Sequence, residues 1–378
     1  MDTILDEYVV VNGRRFRKGY TTGSCAAAAS KASALMLFSQ KAVESAAIDT
    51  PAGVRLTLPV TDVAVLPDKA GCSVVKDGGD DPDVTTGLKI YAEAERKASP
   101  GIEVRTGEGI GIVTLPGLKV EVGKPAINPV PMQMILKEVE EVLPQKEGVI
   151  ITLFVPGGAE AALKTYNPKL GIVGGISIIG TSGIVNPMSE EAWKEALAVE
   201  LKVMAAKGAG FAVYVFGNYG ESFIEERLGL DKSHMIKISN FIGYMLDKAV
   251  EYGLEKLLIV GHIGKLVKVA AGIFHTHSRV ADGRMETLTA YAALEGAAAD
   301  TVSRIYQCHT TEAAVEIIKQ QGLSAVFTRI VENASGRCMA YAFGKLKVGS
   351  VLFYEDNTIL AIDKNAMELI KEAGGSYV

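Results

Sequence analysis

The chain is poor in the residues that usually give a sequence away. Its 378 residues include one tryptophan, four cysteines and five histidines, and only 7% are aromatic. The cysteines, Cys25, Cys72, Cys308 and Cys338, show no paired spacing. That excludes a disulfide framework and a zinc knuckle, and points to a reducing cytoplasm. No window has the length and freedom from charge of a membrane span, and none has the layout of a signal peptide. The most apolar stretch, Gly171 to Val185, holds five glycines with serine and threonine, so it reads as a buried glycine-rich segment. Positive charge is not in excess either. Lys plus Arg number 39 against 44 Asp plus Glu, a net charge of −5, which gives no support for nucleic-acid binding. No G-x-G-x-x-G opens after a first strand, so a dinucleotide is not indicated.

What is present describes a globular chain of two or three domains, with 48% hydrophobic and 22% charged residues. The pattern changes near residue 147. Before it, strand-like runs at Tyr8–Val11, Val54–Leu58 and Val60–Leu66 mix with helices over Ser24–Phe38 and Pro131–Val142, as in an α+β layer. Leu143–Gly148 reads as a linker, giving domains over 1–146 and 147–378. After it, apolar strands at Val149–Val155, Phe211–Phe216 and Lys256–Val260 alternate with helices at Ser189–Ala206, Asn240–Tyr252 and Arg284–Ala299. Alternation of this kind predicts a mainly parallel sheet with right-handed crossovers, a Rossmann-like three-layer α/β domain. Gly349–Tyr354 and Thr358–Ile362, joined by Glu355-Asp356-Asn357, read as a hairpin.

Two dense motifs lie in the first half. Arg17-Lys18-Gly19-Tyr20-Thr21-Thr22-Gly23-Ser24-Cys25 runs into Ala26–Ala29. Thr22 or Ser24 can cap a helix there, and its end offers N–H groups to a phosphate or carboxylate, or is simply a capped, packed helix. Cys25 at such an end is either an activated thiol or a small buried residue. Lys76-Asp77-Gly78-Gly79-Asp80-Asp81-Pro82-Asp83 sets four carboxylates around a Gly-Gly pair, a turn that can hold a divalent cation, orient a substrate or merely be solvated. In the second half, small residues follow each expected strand: Gly157-Gly158, then Gly180-Thr181-Ser182-Gly183 after Ile176–Ile179, Gly217-Asn218, and Gly261-His262-Ile263-Gly264-Lys265. Ligands gather at such strand ends. His262, His275 and His277 can be weighed as a zinc triad, or as groups that touch substrate or are hydrogen-bonded within the fold.

These segments, with Gly107-Glu108-Gly109, Ala126-Ile127-Asn128-Pro129, Asn167-Pro168, Gly174–Gly183 and Thr276-His277-Ser278, occur in an order that resembles the CbiD family, the cobalt-precorrin-5B (C1)-methyltransferases of the anaerobic cobalamin pathway. The likeness runs from about residue 14 to about residue 287. Thr86 departs from it, standing where many relatives are expected to carry histidine, and this puts a base at that position in doubt. The resemblance implies methyl transfer from S-adenosylmethionine to C1 of a cobalt-corrinoid, with cobalt carried by the substrate and no protein-bound metal. The usual methyltransferase glycine signatures are missing, so the donor is inferred from the resemblance alone. Their position after expected strands makes Gly157, Gly158, Gly180, Thr181, Gly183, Gly217 and Asn218 the candidate donor contacts. Arg17, Lys18, Lys76 and Lys265 are candidates for the macrocycle's carboxylates, with Thr21, Thr22, Ser24, Asp77, Asp80 and Asn128 beside them. His262, His277 and Asp81 are the catalytic candidates. The partner implied is the corrinoid intermediate, with no nucleic acid or membrane. Contact with neighbouring pathway enzymes and self-association are left open. Two other readings remain: a kinase using the Thr22–Ala29 helix end for nucleotide and Asp77–Asp83 for magnesium, and a non-catalytic tetrapyrrole binder.

Overall fold

A computed structural model describes residues 6–355 and 358–377. The chain is mixed α/β and divides into two compact units, Met1–Glu190 and Glu191–Val378.

The N-terminal unit is built on a five-stranded mixed sheet. Its order is Thr61–Val65, Lys69–Val75, Lys89–Lys97, Gly148–Phe154, Gly101–Thr106. Gly148–Phe154 runs antiparallel to Lys89–Lys97 and parallel to Gly101–Thr106. Its alternation decides its faces: Val149, Ile151 and Leu153 are fully buried, and Ile150, Thr152 and Phe154 only half so. Packed over the buried face is the helix Thr22–Ser39, fourteen of whose eighteen residues are buried. A helix enclosed on so many sides needs small side chains all round, which is what Ala26–Ala29, Ala32 and Ala34 supply. The helix Pro129–Glu140 packs against it.

This arrangement corrects the expected domain boundary. The run at 149–155 belongs to the N-terminal sheet, so Leu143–Gly148 is a turn within one unit and not a linker. Likewise the strand expected at Ile176–Ile179 is a two-residue strand, Gly175–Ile176, paired with Gly109–Ile110 in the same unit. Both were read as parts of the second domain because an apolar run looks the same in either sheet.

The C-terminal unit holds a second five-stranded sheet in the order Met235–Lys237, Phe211–Val215, Lys256–His262, Lys347–Tyr354, Thr358–Ile362. The first four strands are parallel and the last is antiparallel. Asp356 and Asn357 of the expected hairpin turn lie outside the described residues. Alternate residues enter two separate cores. Ala212, Tyr214, Leu257 and Ile259 join one that includes Met245, Leu266 and Ile330. Val213, Val215, Leu258 and Val260 join another with Phe223, Leu228 and Ile370. Helices therefore cover both faces. The helix expected over Arg284–Ala299 is two, Arg284–Leu294 and Ala299–Tyr306, separated at Gly296.

Candidate active site

The two N-terminal motifs come together, but they satisfy each other. Thr21, rather than Thr22 or Ser24, caps the helix: its Oγ1 accepts from Ser24 N–H at 3.2 Å. Gly23 N–H donates to Ile179 O at 3.0 Å, Thr22 Oγ1 accepts from Ile179 N–H at 2.9 Å, and Ser24 Oγ donates to Gly183 O at 2.7 Å. Residues 179–183 thus cover the helix start, and the N–H groups of Gly23, Ser24 and Cys25 are spent within the fold rather than offered to an anion. The charges close in the same way. Arg17 donates through both terminal nitrogens to Asp77 at 2.7 and 2.8 Å, and its own N–H meets Asp80 at 2.6 Å. Hydrogen bonding to Arg17 holds the Asp77 carboxyl below its ordinary value. Lys18 pairs with Glu7 at 2.9 Å. Lys76, 2% exposed, donates to Asp83 at 2.9 Å. Burial pushes the Asp83 carboxyl up, but the Lys76 charge and the Thr85 hydrogen bonds outweigh it, so the net shift is down. Asp81 accepts from Met188 N–H at 3.0 Å. Cys25 is fully buried and its thiol is pushed up to about 12 by burial, so it is no activated nucleophile. Asn128 precedes the Pro129–Glu140 helix without capping it through its side chain.

Glycine here marks close backbone approach. Gly109 has φ +74°, and a Cβ on it would overlap the Val155 carbonyl oxygen. Cβ atoms on Gly158 and Gly175 would each run into Gly109, and one on Gly19 would run into Gly78. Gly180, at φ +129°, lies against the Thr21 side chain, and Gly183 against Thr50 and Ser24. Gly157, Gly158, Gly180, Thr181 and Gly183 therefore sit in the N-terminal unit, and not at the ends of the C-terminal strands.

The C-terminal unit is different. Its chain enters the sheet at Phe211–Val215, crosses to Met235–Lys237 on one side, then to Lys256–His262 on the other. Strand order reverses between the first and third of these, and a cavity of about 220 Å³ lies beyond their carboxyl ends. Phe216, Tyr219 and Phe353 supply its rings, Val260 an aliphatic wall, and Gly217 and Gly220 backbone. His262 and Lys265 are its basic lining. Gly217 has extended backbone, open to any residue, and a Cβ there would meet nothing within 4 Å. Folding gives no reason for glycine at this position; an open cavity floor does. Asn218 follows it, its Oδ1 held by Lys237 at 2.7 Å.

Burial lowers the pKa of both basic groups. His262 caps the helix Ile263–Ala270, its Nδ1 accepting from Gly264 N–H at 3.3 Å. That assigns the proton of the neutral ring to Nε2. Burial lowers its pKa against the opposing pull of Glu312 and Glu355. Lys265 donates to Asn240 Oδ1 at 2.6 Å and to Thr276 O at 3.5 Å. Burial lowers its pKa, and the nearby cations Lys268 and Arg284 lower it further. Lys268 is itself buried, tying Thr276 O, Ser278 Oγ and Ala281 O together at 3.0 to 3.3 Å.

His277 lies in that tied segment, its Nδ1 accepting from Arg279 N–H at 3.2 Å, and is not among the cavity residues. Among the described residues, His262, His275 and His277 do not converge as a ligand set. The one acidic group that does, Asp49, Glu138 and Glu141, already has Lys31 on Glu138 and Glu141 at 2.6 and 2.7 Å. Sequence reasoning missed Phe216, Tyr219 and Phe353 as site residues. The available signal was an aromatic directly after a strand for Phe216 and one within a glycine turn for Tyr219.

A family model described as CbiD matches residues 9–187, and one described as the CbiD C-terminal domain matches residues 275–364. A protein of Alkaliphilus metalliredigens (strain QYMF) named cobalt-precorrin-5B C(1)-methyltransferase is 48% identical over 98% of this chain and 99% of its own. A protein of the same name from Thermoanaerobacter sp. (strain X514) is 52% identical over 91% and 94%. The crystal structure of the cobalamin biosynthesis protein CbiD from Archaeoglobus fulgidus is 28% identical, covering 72% of this chain and 86% of its own, with a TM-score of 0.37. From the two matched models and the near full-length identities, the chain belongs to the CbiD family.

Proposed function

We propose that the chain methylates C1 of cobalt-precorrin-5B to give cobalt-precorrin-6A in cobalamin biosynthesis, with S-adenosylmethionine as donor. Its relatives are methyltransferases by name over almost the whole length, and this chain is a C-methyltransferase of the same pathway. The strand order and the two covered faces support reading the C-terminal unit as a Rossmann-like three-layer fold that binds the donor. The observation carrying the placement is the cavity at the switch point with Gly217 open beneath it.

When bound, the donor supplies a methyl group already activated by its sulfonium, which passes to the ring carbon and leaves the bonding pair on sulfur, while the macrocycle gives up one proton. No protein nucleophile is needed, so the chain's part is alignment and exclusion of water. Phe216, Tyr219 and Phe353 wall the cavity, the Gly217 backbone lets the ligand approach closely, and His262 presents Nε2–H. Asn128 is retained as a corrinoid contact because its amide is not spent on a cap. The kinase reading has no support: the Thr22 helix end is covered and the Asp77–Asp83 carboxylates are paired.

Two measurements test this. Calorimetry should find S-adenosylhomocysteine bound and magnesium–ATP not bound. Incubation with donor and cobalt-precorrin-5B should yield a macrocycle heavier by one methylene; binding without turnover would leave a tetrapyrrole carrier.

A further inference from the structure

Lys265 stands apart from the other motif cations. Arg17, Lys18 and Lys76 each meet a carboxylate within 2.9 Å. Lys265 meets only neutral oxygens, those of Asn240 and Thr276, and the charges nearest to it are Lys268 and Arg284, of its own sign. An ammonium has three N–H donors, so one remains. Lys265 and His262 are three residues apart at the start of one helix and line the same cavity. His262 Nε2 lies 3.8 Å from Glu312, beyond hydrogen-bond reach, and Glu312 accepts from its neighbour Thr311 Oγ1 at 3.1 Å. Two donors, neither hydrogen-bonded to a carboxylate, thus sit at one end of a cavity whose remaining lining is largely aromatic. Holding a half-buried charge without a counter-ion is unfavourable, and a bound anion relieves it.

We propose that Lys265 and His262 form a carboxylate-binding site, which orients the ligand with its acid group at this end and its planar part against Tyr219 and Phe216. Lys268, buried beneath, is a positioning residue: it ties Thr276, Ser278 and Ala281 and so fixes the carbonyl that Lys265 leans on. The proposal rests on the cavity being the donor site, and two carboxylates suit it: the amino-acid end of the donor, or an acetate or propionate of the corrinoid.

The test uses the full chain and calorimetry with S-adenosylhomocysteine and with 5′-methylthioadenosine, which lacks the amino-acid end. Lys265→Met keeps the side chain's length and removes its charge. If the donor's carboxylate is held, the variant loses at least about tenfold in affinity for S-adenosylhomocysteine and none for methylthioadenosine. If a corrinoid carboxylate is held, affinity for both nucleosides is unchanged and the corrinoid KM rises at least about tenfold. His262→Gln should move the same quantity as Lys265→Met in either case. No change in all three measurements, or equal loss for both nucleosides, overturns the carboxylate site. The cavity itself is checked by Gly217→Val, whose side chain has room. If that variant binds both nucleosides as the wild type does, the donor lies elsewhere, and the placement in the cavity fails independently.

Discussion

Gly109 and Gly217, and likewise Lys76 and Lys265, do opposite jobs in the two units. In the N-terminal unit, Gly109, Gly158 and Gly175 let backbone meet backbone, and Arg17, Lys18 and Lys76 end on carboxylates. In the C-terminal unit, Gly217 faces open space and Lys265 has no acid partner. The same residue types are internal scaffolding at the first set of positions and line a cavity at the second. A motif's density alone does not say which; what each group touches does.

The sharpest way to break this contrast is a pair of alanines. Gly109→Ala adds a methyl onto the Val155 carbonyl at φ +74°, and should cost more than about 4 kcal/mol or abolish folding. Gly217→Ala should stay within about 0.5 kcal/mol of wild type in denaturant unfolding. Gly180→Leu belongs with the first of these, since Thr21 occupies the space, and should unfold the chain rather than act on ligand affinity alone.

Next in size is Lys76→Met, which leaves Asp83 without its counter-ion. A loss of about 3 kcal/mol is expected from denaturant unfolding. A variant of normal stability with a raised corrinoid KM would instead return Lys76 to the substrate.

Acid and alkali should separate the units as well. The Asp77 and Asp83 carboxyls are depressed in the folded chain. Their stabilisation is complete above the ordinary carboxyl value near 4 and is lost as pH falls through the folded values, so acid unfolding should weaken in Asp77→Asn and Asp83→Asn. Lys265 is also depressed, by burial first and by Lys268 and Arg284 next, while Asn240 and Thr276 face it as neutral groups and Asp282 sits against Lys268 and Arg284. Its charge is lost at a pH below the ordinary lysine value of 10.5. Ligand affinity that depends on Lys265 should therefore fall at a pH below that value, and Lys265→Met should flatten the profile.

The smallest effect is on stability in Tyr219→Ala. This ring is 78% exposed, so unfolding should shift by less than about 0.5 kcal/mol. Binding of S-adenosylhomocysteine should weaken about tenfold as a stacking face is lost.

Local chemistry was legible in the sequence where it was self-contained. The alanine run predicted the helix over Ser24–Phe38, found at Thr22–Ser39, and the apolar runs at 211 and 256 predicted parallel strands that pair with each other. Lys69–Val75 and Lys89–Lys97 escaped notice because their inward residues are mostly small: Ala70 and Cys72 in one, Ala92 and Ala94 in the other. The Arg17–Asp77 pair spans sixty residues, and no spacing rule connects them. For the site, Gly217, His262 and Lys265 were readable as residues following strands. Phe353 was not, because only the folded sheet places it with the others round one cavity.

The central claim is that the donor occupies the C-terminal unit's switch-point cavity while the N-terminal motifs hold the fold. A crystal structure with S-adenosylhomocysteine bound tests it most directly. The account predicts ligand density against Gly217 and Tyr219, with its acid group or an open donor at Lys265. Density lying instead against Thr21–Ser24 or Gly180–Gly183, with Gly217 bare, would contradict it.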